Sequence, residues 1–146
     1  MQSAPPRVAG VGIGDTAPDV RTTLGNPDRQ QETLGIRFWD YFRQQVTVIW
    51  REDESGVQGI VVRGVRAGAV SGVKIGDVRV AALQSLGNPT RVRQYGRYLD
   101  FVGAHWVLTV EVAHDTVVQM TLMQAIATRT NDRRRSGGSR GSNSLP

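Results

Sequence analysis

The chain has 146 residues, of which 39% are hydrophobic and 21% charged, so it is one domain or two very small ones with enough apolar material for a core. It has no cysteine, which excludes disulfides, thiolate metal sites, iron-sulfur clusters and a cysteine nucleophile, and no apolar run approaches the roughly 18 residues that a membrane helix needs. The net charge is +5, but Arg129 and the residues after it carry five arginines against Asp132 and hold +4 of it, leaving an almost neutral body.

The opening residues 1–11 have no charged stretch followed by an apolar one, so no secretory signal is read. They are expected to be flexible, and the expected compartment is the cytoplasm, or the envelope if the N-terminus is truncated. A first folded unit is expected over 12–64. Thr16 reads as a helix N-cap with Asp19 three residues on and Pro18 in the first turn, Val20 and Leu24 form one apolar stripe, and Gly25 with Pro27 stops the helix. Three strands follow by alternation and by β-branched or aromatic enrichment, at about 36–43, 46–51 and 57–64, with a turn at Asp53-Glu54-Ser55-Gly56.

Residues 65–73 read as a linker, and 74–124 repeat the first unit. Ile13-Gly14-Asp15 recurs as Ile75-Gly76-Asp77 and Leu24-Gly25-Asn26-Pro27 as Leu86-Gly87-Asn88-Pro89, both at a shift of 62, with Arg29 matching Arg91. The shift then becomes 60 and pairs Arg37 with Arg97, Asp40 with Asp100, Tyr41 with Phe101 and Val57 with Val117. On that register Val46, Val48, Ile60 and Val62 match Trp106, Leu108, Met120 and Leu122. Asp77 is the expected cap of the second helix, Val78, Ala82 and Leu86 its stripe, and its strands fall at about 97–102, 105–113 and 116–123. The expected fold is α+β: two tandem αβββ units, antiparallel sheets with a short helix packed on one face of each. Units this small must pack together or share a sheet.

These motifs carry a resemblance. The Gly14-Asp15 step, the helix ending Leu24-Gly25-Asn26-Pro27, the aromatic strand Trp39-Asp40-Tyr41 and the hairpin closing through Val57 and Ile60, together with their second copies, resemble the SmpA/OmlA (BamE-like) outer-membrane assembly lipoproteins. In tandem form they resemble the β-lactamase inhibitor protein fold. The resemblance covers about 110 residues and implies non-catalytic protein binding on a sheet surface. The anchoring cysteine of the lipoproteins is missing, and inhibition of a β-lactamase is not implied.

Other motifs weigh less. The tract from Ala67 to Asp77 is similar to a stretch of PDZ domains, which bind peptides at a strand edge, but that reading leaves the matching Gly14-Asp15 unexplained. His105 and His114, on one predicted hairpin near Glu111, could be imagined as zinc ligands, yet strand and turn histidines are mostly surface residues, so no metal and no cofactor are expected. Asp40 and Asp100 could be imagined as the carboxylates of a small hydrolase with a pocket between the repeats. Their recurrence is better explained by duplication, with both pointing to solvent or capping an arginine. Residues 125–146 read as a disordered basic tail with weak capacity for nucleic acid and no aromatic for base stacking.

Strand alternation puts Trp39 and Tyr41 on one face and Phe38, Asp40 and Phe42 on the other. The face with a charge in each repeat is assigned to the outside. The expected partner-binding residues on a lightly acidic, aromatic surface are therefore Phe38, Asp40, Phe42, Tyr98 and Asp100, and the expected function is a non-enzymatic protein-binding or structural module.

Overall fold

The computed structural model describes residues 4–51 and 55–125. Asp53 and Glu54 of the expected turn, and 126–146 of the expected basic tail, lie outside the described residues. In chain order the elements are α1 (Ala17–Leu24), β1 (Arg29–Thr33), β2 (Ile36–Tyr41), β3 (Val46–Trp50), β4 (Val57–Val62), a 3-10 turn (Val65–Ala67), α2 (Arg79–Leu86), β5 (Arg91–Arg93), β6 (Tyr98–Gly103), β7 (Trp106–Ala113) and β8 (Thr116–Gln124).

The eight strands form one antiparallel sheet in the order β1-β2-β3-β4-β8-β7-β6-β5. This overturns the expected class of two αβββ units, antiparallel sheets with a short helix packed on one face of each: each half gives one helix and four strands to a common sheet. The strands missing from the sequence reading are the two edges. Arg-Gln-Gln-Glu-Thr, the whole of β1, is exposed and has no apolar alternation to betray it. Pairing creates these strands, through Arg29↔Asp40 and Arg91↔Asp100. Polar, charged and short, they blunt the edges against further strand addition.

The halves meet at β4 and β8. Val61 pairs with Thr121, flanked by Ile60↔Leu122 and Val62↔Met120, so a pseudo-two-fold axis passes through the central pair. The same pairing corrects the repeat register. Val46 lies opposite Val62, and Leu108 opposite Leu122, which makes Leu108 rather than Trp106 the counterpart of Val46. The hairpin between β6 and β7 is longer than that between β2 and β3 by two residues, and this restores the original shift along β7.

Both helices lie on one face, over the core. Thr16 caps α1 in a reciprocal box, its hydroxyl accepting from the Asp19 amide at 3.4 Å while the Asp19 carboxylate accepts from the Thr16 amide at 3.2 Å. Gly25, at φ +87°, closes the helix in a conformation that costs a side-chain-bearing residue strain. The second helix departs from expectation. Val78 holds the N-cap position and offers no side-chain bond. Asp77 instead accepts from the Lys74 amide at 2.9 Å, as Asp15 accepts from that of Gly12 at 2.9 Å, each closing the tight turn before the helix.

Strand alternation sorts the side chains. Trp39, Tyr41, Val48, Trp50, Ile60, Leu99, Phe101, Val110, Met120 and Leu122 are buried beneath the helices with Val20 and Ala82. Trp39 and Trp50 pack at 4.7 Å between ring centroids, Arg21 stacks over Trp39, and the Tyr41 hydroxyl donates to the Gly25 carbonyl at 3.0 Å. Val8 and Val11, in the segment expected to be flexible, form a small bridge and are 1% exposed. Val70 and Val73 form a like bridge, 0% exposed, in the segment expected as a linker. Each half thus closes its core with a valine bridge placed before its helix.

Candidate binding site on the open face of the sheet

The helices cover one face of the sheet and leave the other open. A single row of paired residues crosses that open face from edge to edge: Arg29, Asp40, Thr47, Val61, Thr121, Thr109, Asp100 and Arg91. Asp40 and Asp100 hold equivalent places in it, but neither protrudes. Their exposures are 5% and 0%, which corrects the assignment of both carboxylates to an exposed acidic surface.

A carboxylate is costly to bury unless its oxygens are satisfied, and here arginines satisfy them. Asp100 accepts from Arg91 Nε and Arg93 Nε at 2.7 Å each, from Arg93 Nη2 at 2.9 Å and from Thr109 Oγ1 at 2.8 Å. The Arg93 hydrogen bonds, with those of Arg91 and Thr109, outweigh desolvation and hold the Asp100 carboxyl well below the ordinary carboxylate range. Asp40 accepts from Arg29 Nε at 2.8 Å, Gln31 Nε2 at 2.9 Å and Thr47 Oγ1 at 2.7 Å. Burial pushes the Asp40 pKa up, but bonds from Thr47, Arg29 and Gln31 more than compensate, so it too lies below its ordinary value.

Beside Asp40 the face opens into a cavity of about 490 Å³ whose walls include Arg29, Gln31, Phe38, Phe42, Thr47 and Arg63. Three expected site residues meet here: Phe38 is half-buried, Asp40 forms the floor, and Phe42 is 58% exposed. Arg29 lies over the Phe42 ring at 5.4 Å. Tyr98 and Asp100 are on the same face but in the other half, where Arg93 and Arg97 stack on the half-buried Tyr98 ring at 5.0 and 5.6 Å. Five inter-strand steps of about 4.8 Å separate Asp40 from Asp100, roughly 24 Å along the sheet. The five expected residues therefore share a face without forming one site.

The residues the sequence reading passed over are basic and polar: Gln31, Arg63 and Arg93, with Thr47 and Thr109. Arg63 donates through Nε to Thr47 Oγ1 at 3.1 Å and so joins the Asp40 network at second hand. With the carboxylates neutralised, what projects from the open face is positive and aromatic. The histidines do not converge. His105 precedes β7 and His114 follows it, so they stand at opposite ends of one strand, and no grouping of metal-ligating side chains occurs among the described residues.

No protein-family model matches the chain, and no curated protein matches it. Among solved structures, the fold is similar to an extracellular protein containing an SCP domain from Bacillus anthracis, with a TM-score of 0.63 at 14% identity over 77% of this chain and 44% of that one. It is similar to a cysteine-rich secretory protein from Staphylococcus aureus, with a TM-score of 0.59 at 13% identity over 84% of this chain and 47% of the other. The chain thus spans less than half the length of either. A DUF4309 family protein from Bacillus subtilis gives a TM-score of 0.55 at 17% identity, over 79% of this chain and 82% of that one. These neighbours, with the single eight-stranded sheet, overturn the expected kinship with the SmpA/OmlA lipoproteins and the β-lactamase inhibitor protein.

Proposed function

We propose that the chain is a non-catalytic binding module whose open sheet face receives a protein segment bearing acidic and apolar side chains. The observation that carries this reading is the helix-free face itself, where Phe42, Arg29, Arg63 and Arg91 are exposed around carboxylates already committed to arginine. Aromatic and arginine side chains supply most of the affinity at protein interfaces, and charge complementarity selects the partner. The partner is therefore expected to be acidic, where the sequence alone suggested a lightly acidic surface on this protein.

The competing reading, a hydrolase using Asp40 and Asp100, draws less support. Paired glycosidase carboxylates work at about 5–10 Å, and one of them must hold a proton near neutral pH. Here both are far apart and both lean toward the ionised form. The test is a titration of isotope-labelled protein with an acidic peptide containing phenylalanine, and with a second peptide in which lysine replaces each acid. Amide shifts on Phe38, Phe42 and Tyr98 with the first peptide alone are expected. Shifts confined to α1 and α2, or turnover on a hydrolase panel that Asp40→Asn abolishes, would overturn the reading.

A further inference from the structure

We propose that the first half of the sheet carries a pocket for a carboxylate borne on an apolar or aromatic body, and that the second half has lost it. This deepens the reading of the open face as a binding surface and rests on it. The two halves share a floor. Arg29, Asp40 and Thr47 in one correspond to Arg91, Asp100 and Thr109 in the other, joined by the same hydrogen bonds. They differ in what continues from that floor.

In the first half the chain of bonds runs from Arg29 to Asp40 to Thr47 and on to Arg63. Among the described residues both guanidiniums are bonded to protein through Nε alone, which tethers each planar group, and both arginines line the cavity of about 490 Å³. In the second half the residue equivalent to Arg63 is Met123, which lies over Gly59 so closely that a methyl group added there would overlap its sulfur. Arg93 takes the place of Gln31 and is spent on Asp100 with two of its nitrogens. The first half therefore has two guanidiniums tethered through Nε alone beside an open cavity, whereas the second keeps only that of Arg91.

The chemistry selects the ligand. Terminal guanidinium nitrogens match a planar carboxylate in bidentate fashion. Two arginines against Asp40 leave one positive charge, which balances a monoanion rather than a phosphate dianion. Phe38 and Phe42 give the walls an apolar side for the body that carries the carboxylate. The carboxylate can come from a free small acid or from the end of a polypeptide.

The experiment is a titration of the full chain followed by amide shifts, with 3-phenylpropanoate, its amide, inorganic phosphate, and a phenylalanine-ending peptide with a free or an amidated terminus. Saturable shifts at Phe38, Phe42 and Arg63 with the acid are expected, with the amide at least tenfold weaker, because the lost partner is a charge-assisted bond. Arg63→Met, which installs the residue the second half already tolerates, is expected to weaken binding about tenfold or more while the melting temperature holds. Arg63→Lys is expected to restore part of it, since an ammonium keeps the charge but not the fork. Preference for the peptide with a free terminus over the small acid identifies a polypeptide source, and the reverse a free acid. Equal binding of acid and amide, equal binding of phosphate, or unchanged binding in a folded Arg63→Met protein would overturn the proposal. Should acidic peptides shift the open face with Arg63→Met indifferent, the pocket falls and the binding-module reading stands. Should the small acid bind where no peptide does, the pocket stands and that reading falls.

Discussion

Asp100 is the most demanding residue of the open face, and Asp100→Asn isolates its charge with almost no change of shape. The wild-type carboxylate is 0% exposed and accepts four hydrogen bonds, three from guanidinium nitrogens. In the variant one oxygen becomes an amide donor that faces other donors. Breaking a buried ion pair by removing one partner costs about 3–5 kcal/mol. Arg91 and Arg93 are 62% and 40% exposed, so both recover water once released, and the loss falls to about 2–4 kcal/mol. For a folded region of this size that corresponds to a melting temperature lowered by roughly 8–15 °C.

Asp40→Asn removes one arginine bond and two neutral ones and should cost less. Glu32→Gln, which touches only an exposed pair with Arg37 at 3.5 Å, should change stability by less than about 0.5 kcal/mol. The pH dependence has a fixed sign. The folded pKa of Asp100 lies below the unfolded value of about 3.9, so its contribution is fully present above that value and is lost as pH falls toward the folded one. Urea unfolding of wild type and Asp100→Asn from pH 7 down to pH 3 should show a gap that is constant above about pH 5 and narrows below pH 4. A gap under about 0.5 kcal/mol at pH 7, or one that widens in acid, would refute the assignment of the Asp100 network as a stabilising ion cluster.

Three further outcomes are expected. Gly103→Ala should destabilise by about 1–3 kcal/mol in chemical denaturation, because the added methyl would overlap the Trp106 indole across the hairpin. Val78→Thr should stabilise by about 0.5–1 kcal/mol in thermal melts by supplying α2 with the side-chain cap that Thr16 gives α1, Val78 being 49% exposed. Burial pushes the Tyr41 hydroxyl up to about 12, so wild-type stability should fall as pH rises from 10 toward 12, whereas Tyr41→Phe, weaker at neutral pH by about 1 kcal/mol for its lost bond to Gly25, should lack that alkaline fall in fluorescence-monitored unfolding.

What was legible in the sequence follows from what each residue has to do locally. Thr16, Gly25 and the Leu-Gly-Asn-Pro stops are set by backbone chemistry within a few residues, and they occupy the places the sequence implies. The apolar alternation of Trp39, Tyr41, Val46 and Val48 reports a face turned to a core, wherever that core lies. Sheet partners are another matter. Nothing local states that β4 pairs with β8, so two small sheets and one large sheet predict the same alternation. The edge strands were invisible for the opposite reason, their five or three residues, all polar but Val92, being extended only because a neighbour pairs with them. Part of the site left a trace: Arg29 and Arg91 recur, and Thr47 and Thr109 recur at the original shift of 62, hidden by the assumption that the register changes only once. Arg63 left none, since its counterpart is Met123.

Duplication supplies an internal control for separating fold from function. A residue required to build the sheet is required twice, and Asp40 with Asp100, Thr47 with Thr109, and Arg29 with Arg91 are present twice, making equivalent bonds. Residues needed once are released from that constraint in the other copy, where packing decides. Phe42 corresponds to Val102, Gln31 to Arg93 and Arg63 to Met123, and all three differences converge on one cavity. In the second half the substitutions close the network on itself: Arg93 completes the shell of Asp100, and Met123 fills the space above Gly59. In the first half the network stays open at Arg63, with an exposed aromatic ring beside it. Local rules are most often relaxed where a protein binds something. On this sheet they are relaxed on one side of the pseudo-two-fold axis and kept on the other.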